Sequence, residues 1–387
     1  MRNGVALACP TNPNRVGLRL APPHSAEARK SRMAKRFSRN AIVSTMDSRA
    51  RNILIRLSLL LGSTLLFFGG IEVALRVTGI VSVKPNPPKI YQKSSASEIS
   101  YELKPNISLR AYRSTVTTNS LGFRSQEVDT EMPLIAVLGD SITFGYGVDD
   151  NETIPAHLQR LLPHHTILNA GVPGYNLVQQ RTTYREKIQK LHPSALILLF
   201  HFNDVEETNM DIAELDRDGI LRPQGWQPQA QTCSPITTGL FGLFPGKCWL
   251  DRHSAFYVAI KKYLNAHQAQ EDLKEQEHTY RTDPFAENIR DESLQRYAVE
   301  LHTLRQLLPR NFPRLFIIWP ERHLHFVARP KLKEIAQKEG FRVLDLYEVF
   351  GNHPQTLSWD NVHPSPATNA EAAQVIAAAL EHYELLP

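Results

Sequence analysis

From Leu134 onward, short apolar runs alternate with stretches in which apolar residues recur at helical spacing. The runs Leu134 to Leu138, Thr166 to Asn169, Ala195 to Phe200, Leu315 to Trp319 and Arg342 to Leu346 predict strands. Helical patterns lie at Ile154 to Leu162, Leu177 to Leu191, Ser293 to Leu308, Lys331 to Glu339 and Ala370 to Leu385. A strand such as ALILLF, apolar at every position, suits a parallel sheet covered on both faces. The predicted class is α/β: a doubly wound, flavodoxin-like, mainly parallel five-stranded sheet between helices. Between about 205 and 290 no clean period holds. That segment reads as an insertion beside the functional edge of the sheet.

A different pattern precedes this domain. Ile53 to Leu75 is apolar, with its uncharged part bounded by Arg56 and Glu72. A membrane span takes about 20 apolar residues and a signal-peptide core about 7 to 15, so length leaves both open. Arg56 can snorkel from a helix end, and the only cleavage-like site is Val77-Thr78-Gly79. The segment therefore reads as an uncleaved anchor. Arg29, Lys30, Arg32, Lys35, Arg36, Arg49 and Arg51 precede it, which puts the N-terminus in the cytoplasm and everything after Arg76 outside. The expected organisation is a disordered basic leader (1–51), a transmembrane anchor (52–76), a Pro-containing connector and pre-domain segment (77–132), and a catalytic domain (133–387). The expected location is the inner membrane, single-pass, with a periplasmic domain.

Charge changes little once it is divided. The net charge is +5, but residues 1–51 hold 11 of the 44 basic and 2 of the 39 acidic residues, leaving 33 against 37 in the remainder. No basic surface for nucleic acid is implied beyond the leader. Cys9, Cys233 and Cys248 lack the paired spacing of a zinc site. In an exported domain, Cys233 and Cys248 could close a disulfide or stay as two thiols. No metal or other cofactor is called for, and nothing in the sequence bears on oligomeric state.

The candidate chemistry lies in four segments. Gly139-Asp140-Ser141 follows a strand and opens a helical pattern, which exposes a serine at the carboxyl edge of the sheet beside unpaired helical N–H groups. A helix N-cap is the plain alternative. A serine needs a base, and His363 stands just before the last helix with Asp360 three residues upstream. Asn203 ends the ALILLF strand, where its amide can donate to an oxyanion, and Asp204 follows it. Gly171 and Gly174, in LNAGVPGYN, let the backbone approach and offer an N–H.

In order, these segments resemble the blocks of the SGNH/GDSL hydrolase family. The resemblance implies the SGNH hydrolase fold over about Leu134 to Leu385, with Ser141 as nucleophile and Asp360 and His363 completing its triad. It places the Ser141 N–H, Gly174 and Asn203 in the oxyanion hole, with Asp140 and Asp204 in support. Many members read Gly-x-Asn-Asp in the third block, whereas this chain has His201 at the first position. Ile71 to Arg76 and Asn119-Ser120-Leu121-Gly122-Phe123-Arg124 are similar to the membrane-anchored bacterial branch. The implied activity is a serine esterase acting on an ester or O-acyl group, such as an acetylated glycan or a lipid. The alternatives are an extracytoplasmic polysaccharide O-acetyltransferase and a catalytically silent envelope binding protein. Trp226, Phe241, Phe244 and Trp249 read as the insertion's own core or as lining of a substrate site.

Overall fold

The computed structural model describes residues 48–79, 81, 88–205, 213–215, 221–223, 246, 249–250, 253–282 and 289–386. The leader before Ser48, most of the Pro-rich connector, all three cysteines, Trp226, Phe241 and Phe244 lie outside the described residues. The chain divides into two units, Met1–Thr78 and Gly79–Pro387.

The first unit contains helix α1 (Ser48–Thr78). Its stretch Ala50–Thr78 has a mean hydropathy of 1.8 and no buried position, and is long and apolar enough to cross a membrane. At 1.5 Å per residue these 29 residues reach about 43 Å, more than the hydrocarbon thickness of about 30 Å. Near its end Arg76 pairs with Glu72 one turn earlier, at 2.6 Å, so the two charges form a neutral pair.

The second unit begins with two antiparallel pairs that the sequence pattern did not predict: β1 (Tyr91–Lys93) with β2 (Tyr101–Leu103), and β3 (Ser108–Ala111) with β4 (Ser114–Thr117). The central sheet follows, from β5 (Leu134–Leu138), β6 (Thr166–Asn169), β7 (Ala195–Phe200), β10 (Arg314–Ile318) and β11 (Arg342–Asp345). Its spatial order is β11-β10-β7-β5-β6 and every pairing in it is parallel. The last two strands start or stop a residue earlier than the apolar runs suggest. Between β7 and β10 a short pair, β8 (Ala213–Leu215) and β9 (Leu221–Pro223), is antiparallel.

Side-chain alternation divides the sheet's residues between two cores. Leu134, Ala136 and Leu138 of β5 join Leu196, Leu198, Phe200, Phe316 and Ile318 on one face. Ile135 and Val137 join Ala195, Ile197, Leu199, Leu315 and Ile317 on the other. Period-two alternation in a strand apolar throughout is what a two-sided sheet requires. The other helices are α2 (Ser141–Phe144), α3 (Ile154–Leu161), α4 (Leu177–Thr183), α5 (Ala255–Thr282), α6 (Asp291–Leu307), α7 (Ala328–Lys338), α8 (Tyr347–Phe350) and α9 (Pro366–His382). Helices α4, α6 and α7 cover the first face, while α3 and α9 cover the second. Local sequence sets their starts. Thr153 and Ser365 cap α3 and α9 through their hydroxyls, with Pro155 and Pro366 in the first turn of each helix, and Asn176 with Gln179 forms a capping box on α4. The predicted helix from Leu177 to Leu191 stays α-helical only to Thr183, then widens into a π-turn over Tyr184–Ile188.

Residues from Ile90 to Val116 make a third core. Ile90, Tyr91, Ile99, Tyr101, Leu103 and Val116 pack with Phe144, Val172 and Tyr175 of the α/β domain. Arg124 fastens this segment. Its side chain is 1% exposed, and Nε donates to Asp150 Oδ1 at 2.8 Å. Nη1 donates to the carbonyls of Phe144 (3.1 Å) and Gly145 (2.7 Å), and Nη2 to those of Thr115 (2.6 Å) and Val148 (2.8 Å). A guanidinium thus closes the loop directly after Ser141, using a fork of donors that lysine lacks.

Candidate active site

Strand β5 delivers Gly139-Asp140-Ser141 to the carboxyl edge of the sheet, beside β6 and β7. Asp140 is buried and serves two partners. Its Oδ1 caps α2 by accepting from the Ile142 N–H at 2.9 Å, and its Oδ2 accepts from Asn203 Nδ2 at 3.0 Å. One carboxylate therefore fixes the start of the helix that bears Ser141 and ties it to the end of β7.

The loop before α9 brings His363. His363 Nε2 lies 2.9 Å from Ser141 Oγ, across 222 residues of sequence. Its Nδ1 lies 2.8 Å from Asp360 Oδ2, while Asp360 Oδ1 accepts from the N–H groups of Val362 (2.8 Å) and His363 (2.9 Å). Burial raises the Asp360 carboxyl, but the hydrogen bonds from the His363 ring and from these two N–H groups outweigh it and bring the pKa to about 2. The acid is ionised at neutral pH, so Nδ1 carries the proton and Nε2 faces the hydroxyl as acceptor. The loop is held shut by the Leu357 N–H donating to the His363 carbonyl at 2.9 Å. It also comes close to Gly147, where an added Cβ would lie 2.5 Å from Leu357 Cδ1 and where φ is +80°. A side chain at 147 would push away the loop that holds the histidine.

An aromatic wall backs the imidazole. The Tyr146 ring stacks on His363 with centroids 4.1 Å apart and 22° between planes. Tyr112 packs against Tyr146 at 4.2 Å, and the Arg113 guanidinium sits 4.6 Å from the Trp359 ring centroid. Tyr112 and Arg113 form the tight turn between β3 and β4, with φ of +52° and +67°. Bulky residues rarely hold such backbone angles, and strain of this kind gathers at functional sites. Sequence reasoning missed this wall. Its one local signal was Tyr146 inside the GYG that follows the serine.

The remaining candidates fall as follows. Gly174 has φ +81° in the turn before α4, and a Cβ there would meet the Tyr101 hydroxyl at 2.9 Å, which itself donates to the Pro173 carbonyl at 2.7 Å. Asn203 lies in the turn after β7, oriented by Asp140. Asp204 is buried beside it; burial, with the Asp140 charge adding to it, holds its carboxyl well above the ordinary range. Gly171 abuts the backbone of Thr143 and Phe144. His201, where the third block departs from the family pattern, is buried with its Nε2 at 3.5 Å from Glu321 Oε2. Trp249 is 62% exposed, so it is not buried as insertion core. Among the described residues no cluster of three or more His, Cys, Asp or Glu side chains is arranged to hold a metal ion.

A family model described as GDSL-like Lipase/Acylhydrolase matches residues 137–370, more than half of the chain. The chain belongs to that family. Membership makes it an ester-hydrolysing enzyme of the SGNH/GDSL type, with the five-stranded parallel sheet expected of it. No curated protein sequence matches this GDSL-family chain significantly. Solved structures similar to it include the lipase/acylhydrolase from Enterococcus faecalis, at 13% identity and TM-score 0.37, covering 65% of this chain and 97% of that one. The psychrotrophic esterase EstA from Pseudoalteromonas sp. matches at 10% identity and TM-score 0.35, covering 65% and 97%. AlinE4, an SGNH-hydrolase family esterase, matches at 17% identity and TM-score 0.32, covering 67% and 100%. The assignment rests on the family model and not on these overall similarities.

Proposed function

We propose that this GDSL-family enzyme is a serine esterase that cleaves an ester or O-acyl group through Ser141, His363 and Asp360. The observation that carries the reading is the continuous contact from Ser141 Oγ to His363 Nε2 (2.9 Å) and from His363 Nδ1 to Asp360 Oδ2 (2.8 Å). Both distances fall within hydrogen-bond reach for a nucleophile, its base and the group that orients the base.

In this reading His363 takes the Ser141 proton as Oγ attacks the ester carbonyl, and Asp360 steadies the imidazolium without itself becoming protonated. The carbonyl oxygen gathers negative charge, met by the Ser141 and Gly174 N–H groups and the Asn203 amide. Asp140 and Asp204 support these donors, Asp140 by orienting the Asn203 amide. His363 then returns the proton to the leaving alkoxide, and water attacks the acyl-enzyme in the reverse sense. The α1 segment anchors the enzyme in the inner membrane with the basic leader in the cytoplasm, and the catalytic domain, with its insertion at about 205–290, faces the periplasm. Residues 88–132 belong to that domain in this reading, since their core includes Phe144.

Acetate release from p-nitrophenyl acetate tests the reading. Ser141→Ala should abolish it, and Asn203→Ala should lower kcat by a factor of about 10² to 10³, the loss associated with one oxyanion donor. Undiminished hydrolysis by folded Ser141→Ala would overturn it.

A further inference from the structure

A cavity of about 620 Å³ lies at the carboxyl ends of β7 and β10, and Asn361 and Val362, the two residues between Asp360 and His363, form part of its lining. This volume lies within the range of about 300–1,000 Å³ typical of small-molecule sites. One wall is the loop from Asn352 to Ser358 with Asn361 and Val362, the same loop that carries Asp360 and His363. The turn after β10 supplies Glu321, His323 and His325, and His201, two residues before Asn203 in the chain, also lines the cavity.

The lining has a definite chemistry. Glu321 is 26% exposed; His325 Nε2 bonds one of its oxygens, and His201 Nε2 lies 3.5 Å from the other. Burial works to raise this carboxyl, but the His325 hydrogen bond and the surrounding imidazoles outweigh it and hold it below its usual range, so it is ionised. His201 and His325 are 7% and 4% exposed in their side chains. Each keeps a buried Nδ1 with no hydrogen-bond partner among the described residues. Burial, reinforced by His325, lowers the pKa of His323 to about 4, leaving a neutral ring that can donate or accept.

These groups discriminate among possible occupants. A long acyl chain would strip water from Glu321 and the imidazoles and replace none of their hydrogen bonds. An anionic group would face the Glu321 charge, while Arg322, the one Lys or Arg among the described lining residues, is exposed and its charge is screened by solvent. An organic cation is best held by aromatic faces, and among the described lining residues there is no Phe, Tyr or Trp. Hydroxyl groups both donate and accept, which matches a carboxylate, imidazole nitrogens of either tautomer and the amides of Asn352, Gln355 and Asn361. Position adds the second half of the argument. The leaving oxygen must lie within reach of His363 to receive its proton, and the cavity begins on the loop of that histidine.

We propose that this cavity is the subsite for the alcohol side of the ester, and that it takes a polyhydroxylated ring such as a pyranose unit of an acylated glycan. The proposal rests on the esterase reading and extends it to a substrate class.

The test uses the full chain purified in detergent. kcat/KM is measured for glucose pentaacetate and acetylated xylotetraose, and as a ratio to p-nitrophenyl acetate and p-nitrophenyl octanoate. The wild type should favour the sugar acetates over the octanoate. Glu321→Gln, and separately Ser358→Trp, which fills the cavity from an exposed loop position, should each lower the sugar-to-p-nitrophenyl-acetate ratio at least tenfold, chiefly through KM. Xylotetraose binding to Ser141→Ala, read by calorimetry, should weaken at least tenfold when Glu321→Gln is added. Preference for the octanoate, or a ratio and a binding constant unchanged in both cavity variants, would overturn the subsite. Loss of sugar binding on Glu321→Gln in a protein that hydrolyses no ester would instead support the subsite and count against the esterase reading.

Discussion

Replacing Arg124 by methionine keeps the length and apolar stem of the side chain and removes its five donors. In the native structure the guanidinium is 1% exposed and serves Asp150 and the carbonyls of Thr115, Phe144, Gly145 and Val148. Asp150, 35% exposed, can return to water and costs little. Gly145 and Phe144 keep weaker donors, Val148 N at 3.4 Å and Asn169 Nδ2 at 3.4 Å, so the loss falls mainly on Thr115 and Val148. A lost hydrogen bond to a charged group costs about 1.5–3 kcal/mol, so two such losses amount to roughly 3–6 kcal/mol, close to the cost of breaking a buried ion pair. Against a total stability of about 5–15 kcal/mol this is a large fraction. At about 2–4 °C per kcal/mol for a large domain, the melting temperature should fall by roughly 6–24 °C. Thermal unfolding followed by near-ultraviolet circular dichroism measures this. The loop from Gly145 to Val148 should also loosen, so the fraction of Ser141 titrated by an active-site phosphonate should fall at temperatures below the transition. A variant melting within 2 °C of the wild type would refute the claim that Arg124 fastens residues 88–132 to the site.

Two further perturbations probe the site. Tyr146→Leu removes the ring stacked on His363, and since an aromatic pair contributes about 0.5–1.5 kcal/mol, kcat should drop by a factor of about 2 to 13 with KM little changed, while Tyr146→Phe restores it; equal losses in the two variants would show that the hydroxyl matters and the stack does not. Asp204 has a folded-state pKa raised by burial, so it keeps a proton that the unfolded chain releases above about pH 4, and stability declines by about 1.4 kcal/mol per pH unit until the folded carboxyl also ionises. Asp204→Asn removes that slope, so the gain in melting temperature should grow from pH 5 to pH 8, and an identical gain at both pH values would contradict the assignment.

The central strands β5 and β7 were legible because each is an unbroken apolar run, a pattern that two-sided burial explains, and β6, β10 and β11 because each carries a short apolar core within the same alternation. The four short strands between Tyr91 and Thr117 were not, since three or four residues such as Tyr91-Gln92-Lys93 carry too little periodicity to stand out. Helix α5 escaped for another reason. Its sequence passes from apolar at Ala255 to charged near Glu271 with no constant face, so helix propensity and not amphipathicity forms it. At the site, local motifs pointed to Ser141, Asp360 and His363, because a tight turn and a three-residue spacing are written in adjacent residues. Tyr112, Arg113 and Arg124 act through contacts with chain-distant backbone and rings, which leave no local signature. Asn119 to Arg124, used in the sequence only as a marker of cellular location, turns out to include the side chain that closes the loop from Gly145 to Val148.

The central claim is that His363 activates Ser141 at the edge of the sheet. Mass spectrometry of the intact full chain after exposure to a p-nitrophenyl phosphonate tests it most directly. The account predicts one adduct per chain, located on Ser141, with its rate of formation reduced at least a hundredfold in His363→Ala. A folded wild type that takes up no phosphonate, or one modified equally fast without His363, would contradict it.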